Sequence, residues 1–534
     1  CLSVSRSICM SCRKNVEHIT AVNPSLRKYL FTRGYLLSDA VYDLNTYPFY
    51  GNWSQLKIGS FRLYLHNKLK AFKFQNDEDT YLLIGHAYNP YNGVYDENEL
   101  LQSYAEADNK IEVLNQWTGV FTLIVICDDS IEIWDDCAGM QAAYYGFVKG
   151  HFYVSSHAQL IGDLCDLQQS AYVRSMVKYR FWQLYGMFLP GDLSQFDGVY
   201  RVVPNTYVTF HKSDGTFAVN RFYPTQNIAM CKTKQDYDAT IDEICDLLHT
   251  NLELISKKWK KPAISLSGGM DSKATFACAN GLYDKFWYYS YDTMYGDRPD
   301  VEAAKKIASA AGVQHKTYVV SEQDKDFPYV DEVREIMEHN WGDMGKVNDN
   351  DVRKRMFFMD IPDFDVEVKS WVSEIGRANY YKKFGLKKMP KHLSARQMTT
   401  MYKFFSYNRK QARETDKIFR QYISKTDANR IFNFDSSDMY LWEFRYGSWG
   451  GLVITSEHRM SYDITIPYNN RNLMELFLRL PLDKRIADVP HYDIIRKMNP
   501  KVDALNITVT NYNETKRRMY MERLYYFVNN FLPF

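Results

Sequence analysis

Between Tyr35 and Phe222 apolar and polar residues alternate over short runs broken by Gly, Asn and Asp. A period of two with turn residues between runs predicts antiparallel strands. The segment GVFTLIVICDDSIEIWDD, residues 119 to 136, is the clearest hairpin, with two β-rich runs flanking Asp128-Asp129-Ser130. Past a polar link near Thr225 to Lys234 the period changes, and Ile241, Ile244, Leu247, Leu248, Leu252 and Ile255 recur at helical spacing. One apolar stripe on a helix follows, and with it a domain boundary near residue 230. Next come a strand at Ala263 to Leu266, a glycine turn, a helix from about Ser272 to Ala279 and a strand at Lys285 to Tyr291. A helix at Val301 to Ala311 then closes at Gly312, before a strand from Gln314 to Val320. Strands that alternate with helices over short connections predict a parallel sheet. From about Glu332 onward the pattern is predominantly helical, without a repeat.

A chain of 534 residues exceeds the usual size of one core, so two domains are expected, 1–230 and 231–534. Apolar residues at 46% and aromatics at 16% argue for well-filled cores and against disorder. Sixty-six basic against sixty-four acidic side chains leave a formal charge of +2, and the basic clusters Lys257 to Lys261 and Lys516 to Arg518 are short. No footprint for nucleic acid is expected from that distribution. The longest apolar stretch, Phe121 to Cys127, is too short to span a bilayer. Nine scattered cysteines and no secretory pattern point to the cytoplasm. Cys9 and Cys12 form one C-x-x-C without a second ligand pair, and read as ordinary thiols.

Chemistry concentrates in PAISLSGGMDSKATFACANG, residues 262 to 281. A ligand of a parallel sheet sits beyond the carboxyl ends of its strands, where loops feed helix N-termini. Gly268 and Gly269 let backbone amides approach an anion, and Ser267 and Ser272 add hydroxyls. Asp271 would repel a phosphate unless a cation lay between them, so Mg2+ is expected on Asp271. The loop is neither Walker A nor GxGxxG, and Ser-Gly-Gly alone fits a simple strand-to-helix turn equally well.

The full string SGGMDS resembles the PP-loop of ATP pyrophosphatases. YSYDTMYGDRPDVEAAKKIASAAGVQHKTYVV, residues 289 to 320, resembles the second block of asparagine synthetases. Residues 119 to 147 and FLPGDLSQFDGVYRVVPNTYVTF, residues 188 to 210, resemble later strands of that family's glutaminase-type domain. From about residue 60 onward the chain is therefore similar to the asparagine synthetase-like superfamily, as a divergent member. The likeness implies an α+β N-terminal-nucleophile (Ntn)-hydrolase-like αββα domain. An α/β PP-loop synthetase domain of the adenine nucleotide alpha hydrolase-like type follows, with a helical C-terminal part. It also implies ATP and Mg2+, and an AMP-forming ligase that adenylates a carboxylate and forms an amide.

By that likeness Leu266, Ser267, Gly268, Gly269, Met270, Asp271, Ser272, Tyr291 and Ser373 bind ATP and pyrophosphate, with Leu266 and Tyr288 to Tyr291 flanking adenine. KSWVSEIGRANYYKKFG, residues 369 to 385, matches the third block, in which Glu374 and Arg377 are the catalytic expectations. Arg377 or Ala378 falls where the family has its second metal-binding Asp, so a two-metal site is not expected. The late catalytic Lys is assigned to Lys497, with Lys516 an equal alternative. Glu443, Arg445, Glu457 and Arg459, beside Trp442 and Trp449, are expected to line a polar pocket.

Cys1 heads the chain as a glutaminase nucleophile of this family would, but LSVSRSIC does not match the small residues that usually follow. Gly85-His86-Ala87 replaces the family's Asn-Gly-Glu and lacks its carboxylate. The glutaminase-like domain is thus expected to be degenerate. Two alternatives stand beside the ligase: a glutamine-dependent amidotransferase using Cys1, and a non-catalytic nucleotide-binding scaffold. The expected partners are a small-molecule, sugar or peptide carboxylate and ammonia or an amine, with a homodimer allowed.

Overall fold

The computed structural model describes residues 11–179, 182, 186–293, 297–402, 409–507 and 516–531. Cys1 and Cys9 lie outside them.

Two six-stranded antiparallel sheets organise the first part of the chain. One runs Val199–Arg201, Tyr144–Val148, His151–Ser155, Tyr35–Ser38, Phe61–His66, Trp53–Ile58. The other runs Thr216–Arg221, Thr206–His211, Ser130–Asp135, Thr118–Ile126, Thr80–Tyr88, Ala71–Gln75. The expected hairpin at 119 to 136 is the central pair of the second sheet. Leu37, Leu63 and Val154 from the first sheet share one buried cluster with Leu82, Ile84, Ile124 and Val208 from the second. Tyr81 and Leu83, one residue out of phase, join a separate cluster with Leu101 and Tyr104 of the helix Glu97–Glu106. The alternation therefore gives Thr80–Tyr88 two apolar faces, one for the opposite sheet and one for a helix. The helix Ala158–Cys165 packs against the first sheet.

Helix Lys234–Lys258 starts in a capping box between Thr233 and Asp236 and carries Lys257 and Lys258 in its last turn. Both ends thus suit the helix dipole. The second sheet system is parallel throughout, in the order Lys316–Val319, Trp287–Asp292, Pro262–Ser265, Val366–Val368, Asp463–Thr465. The chain after Glu332 is predominantly helical, as expected, but the last two strands interrupt it. At three residues each they are too short to display a period of two. Their effect is large: Pro262–Ser265 becomes the central strand, so the loop after it opens at the middle of the sheet.

Hydrogen bonds between buried groups tie the antiparallel sheets to the rest. Arg221 meets Glu443 through two bonds of 2.6 and 2.8 Å. Asn469 donates to Asp136 at 2.8 Å, and the Trp442 indole donates to the Cys137 carbonyl at 2.7 Å. Glu443 and Trp442 belong to a π-helical stretch, Leu441–Gly450. No helix among the described residues is long and apolar enough to cross a membrane.

Candidate functional site

Ser265 ends the central strand and Met270–Cys278 begins a helix, so residues 266 to 269 make the corner between them. Three successive amides of this corner point at side-chain oxygens. Ser267 N–H donates to Ser272 Oγ at 2.9 Å, Gly268 N–H to Asp300 Oδ1 at 2.9 Å, and Gly269 N–H to Ser267 Oγ at 3.2 Å. Gly269 is the helix N-cap and has no capping side chain of its own. These amides and the helix dipole together select negative charge. Asp300 satisfies that selection from within the chain. Burial raises its pKa, and the bond from Gly268 opposes that rise.

Asp271, in the first turn of the helix, is held from three directions. Its Oδ1 accepts from Ser373 Oγ at 2.7 Å, its Oδ2 from Arg377 Nη1 at 2.6 Å, and His491 Nε2 stands 3.4 Å from Oδ1. Burial would push this carboxyl up, but His491, Arg377 and Ser373 outweigh it and hold the pKa down at about 2. Arg377 in turn reaches Asp488 through Nε at 2.8 Å and Nη2 at 3.2 Å. Lys382 bonds the same Asp488. The Ser373–Arg377 turn is bracketed by two non-glycine residues in left-handed conformation, Val372 at φ 77° and Ala378 at φ 49°. For a β-branched residue such a φ is strained, and from this turn Ser373 and Arg377 reach Asp271.

Glu374 lies beside Asp271 and accepts a bond from the Tyr446 hydroxyl. Burial, with the charge of Asp271 next to it, pushes its pKa up to about 7. Two neighbouring carboxyls thus divide their roles, one fixed as an anion and one able to exchange a proton near neutrality.

Mg2+ does not fit the donor set at Asp271. Both oxygens of that carboxylate are engaged by protein donors, one of them a guanidinium. Among the described residues no three His, Cys, Asp or Glu side chains converge as metal ligands. In this structure the Asp271 carboxylate is held in an ion pair with Arg377.

Leu266 is buried at the strand end; its N–H donates to the Tyr289 carbonyl at 2.8 Å, and its carbonyl accepts from Ser290 Oγ at 2.6 Å. Tyr291, near the end of the adjacent strand, holds the Lys354 ammonium 4.9 Å from its ring centre. Met270 is partly buried against the core. Lys497 is not brought to this place: it is exposed and paired with Asp242. Lys516 is exposed on the last helix.

The four residues expected to line a polar pocket each have partners within the chain. Glu443 is committed to Arg221, and Arg459 to Asp463 at 2.9 Å and to Gln141. Arg445 lies between the rings of Phe188 and Trp449, 4.4 Å from each, and Glu457 lies 3.6 Å from Arg355. At the strand offered as a glutamine pocket, His86 is buried against Trp259 and stands 4.0 Å from Asp463. The groups that sequence reasoning missed, Asp300, Tyr446, Asp488 and His491, come from three separate elements, the last two from the helix Val489–Met498 and its N-cap. Only Asp300 carried a local signal, an acid in the first turn of the helix that follows a parallel strand.

Residues 259–348 match the family model described as asparagine synthase. The likeness to the asparagine synthetase-like superfamily holds over this segment, which contains the strand, the loop and the helix. No curated protein matches the chain. Among solved structures, the glutamine-dependent NAD+ synthetase from Acinetobacter baumannii in complex with ADP is 14% identical, with a TM-score of 0.18. That similarity covers 31% of this chain and 28% of the other. Glutamine phosphoribosylpyrophosphate amidotransferase from B. subtilis, complexed with ADP and GMP, is 9% identical at a TM-score of 0.23, covering 61% and 89%. A structure described as the allosteric regulatory enzyme of purine biosynthesis is 8% identical at 0.25, covering 63% and 91%. TM-scores this low bear on neither fold nor function.

Proposed function

We propose that the chain is an ATP-dependent carbon–nitrogen ligase that activates a carboxylate as its adenylate and passes the acyl group to an amine. The observation that carries the reading is the set of three loop amides at the carboxyl end of the central parallel strand, with Asp300 placed where an anion would bind. The asparagine synthase match over the same segment supports it.

In the first step a substrate carboxylate oxygen attacks the α-phosphorus of ATP. The bond from that phosphorus to the bridging oxygen breaks, and pyrophosphate leaves with the electron pair. The amides of Ser267, Gly268 and Gly269 meet the new charge, with the Ser267 and Ser272 hydroxyls beside them. Leu266 and Tyr291, at the ends of adjoining strands, flank the adenine. In the second step the amine nitrogen attacks the acyl carbon and AMP departs. Glu374, whose raised pKa suits a general base, takes the proton that the nitrogen loses, and Tyr446 orients it. None of these steps is routed through a metal.

We further propose two units, 1–230 and 231–534, with the first degenerate as a glutaminase. The amine is ammonia or a group on another molecule, and the acid is a small molecule, sugar or peptide. ATP–pyrophosphate exchange across a panel of carboxylates tests the reading. Exchange with one acid class is expected, reduced about a hundredfold or more in Asp271→Asn, which loses the anion that holds the Arg377 guanidinium in place. ADP as product overturns the mechanism. Nucleotide binding without exchange for any acid favours the scaffold, and glutamate release from glutamine that is lost in Cys1→Ala favours the amidotransferase.

A further inference from the structure

We infer that Arg377 replaces a protein-held divalent cation at the loop, so that Asp271 organises a guanidinium instead of binding metal. The inference deepens the nucleotide reading above and rests on it.

Asp271 and Asp488 supply two negative charges, and Arg377 and Lys382 supply two positive ones, each in a direct ion pair. These four charges cancel without an added ion, and Glu374 adds none while it keeps its proton below about 7. A divalent cation on Asp271 would have to break the 2.6 Å contact with Arg377 and sit beside that guanidinium. Strong ion–ion repulsion at such range, and the octahedral geometry that Mg2+ demands, both oppose this.

Arg377 is also equipped to receive an anion. A guanidinium carries five N–H donors in a fixed fork. Three are used, one on Asp271 and two on Asp488. Among the described residues the other two have no protein acceptor, and the side chain retains about a fifth of its exposure, 21%. Asp488 fixes one edge of the plane, Asp271 fixes the near nitrogen, and the remaining donors are left for a phosphate oxygen. An arginine supplied from the same chain is a known way to stabilise charge in phosphoryl chemistry. The other groups facing the fork are Glu374, which is protonated below about 7, and His491, on the far side of Asp271.

Mn2+ electron paramagnetic resonance on the full chain tests this. With no nucleotide the free Mn2+ signal is expected to stay undiminished as protein is added. With ATP present, one Mn2+ per nucleotide is expected, and excess Mn2+ should add no second bound ion. Mn2+ bound by the nucleotide-free protein and lost in Asp271→Asn would overturn the inference alone. Failure of ATP to bind at all would overturn the nucleotide reading and this inference with it. Isothermal titration with inorganic pyrophosphate gives a second arm: Arg377→Met is expected to weaken binding at least tenfold, and Arg377→Lys less. Unchanged pyrophosphate affinity in a folded Arg377→Met protein would also overturn it. Should Arg377→Met fail to fold, the wild-type resonance measurement still decides.

Discussion

A carboxyl group packed next to a second carboxylate keeps its proton to higher pH, and Glu374 beside Asp271 is in that position. In the proposed role of base it works only when ionised, so the rate of the proposed acyl transfer should rise as pH rises through about 7. In Glu374→Gln that rise should disappear and the plateau should drop by about a hundredfold or more, the usual scale of general-base catalysis. Amide formation followed by stopped assay from pH 5.5 to 9, both numbers roughly bracketing the useful range, measures both. A limb that persists in the variant would assign the titration elsewhere. Ser373, Glu374 and Arg377 were legible because they share one five-residue turn that resembles a known block. Tyr446, Asp488 and His491 were not, because each reaches the site from a distant element whose own sequence carries no mark of it.

The turn that presents these three residues is packed so closely that its backbone leaves no room. A Cβ on Gly376 would stand 2.7 Å from Cβ and 2.9 Å from Cγ of Phe477. Phe477 belongs to the helix Arg471–Arg479 and is fully buried, so it has nowhere to retreat. Gly376→Ala should therefore destabilise the protein by about 1–3 kcal/mol, the typical cost of overpacking. Displacement of Glu374 and Arg377 should lower exchange activity in the protein that remains folded. Paired thermal melts and exchange assays check this, and an unchanged melt would mean the two elements can part without cost. Glycine at 376 is visible in the sequence; that Phe477 requires it is visible only in the packing.

Across the whole molecule, His339 is the clearest link between the antiparallel sheets and the remainder. It is fully buried, with Nε2 2.8 Å from Asp163 and Nδ1 2.8 Å from Asp343. Asp163 lies on the helix Ala158–Cys165, while His339 and Asp343 lie at the end of the helix Val330–Asn340 and just beyond it. Burial lowers the imidazole pKa, but the two carboxylates outweigh it and raise it from 6.5 to about 10. The folded chain thus holds a proton that the unfolded chain releases. The resulting stabilisation is complete below about 6.5 and is lost as pH rises through about 10. Denaturant midpoints should accordingly fall over that window, and His339→Gln should remove this dependence while lowering stability on the acid side. A flat profile in the native protein would show that the imidazole is not charged.

Local pattern determined much of this protein by itself. The period of two before Phe222, the helical stripe from Ile241 to Ile255 and the strand–loop–helix at 262 to 281 are all properties of neighbouring residues, and they appear where the sequence places them. Tertiary structure decided the rest. It placed Val366–Val368 beside Pro262–Ser265 and Asp463–Thr465 beyond it, set Asp300 on the Gly268 amide, and paired Asp271 with Arg377. The physical reason is range. Periodicity and turn chemistry act over a few residues, whereas the charge state of a carboxylate depends on which groups the fold brings within about 4 Å of it.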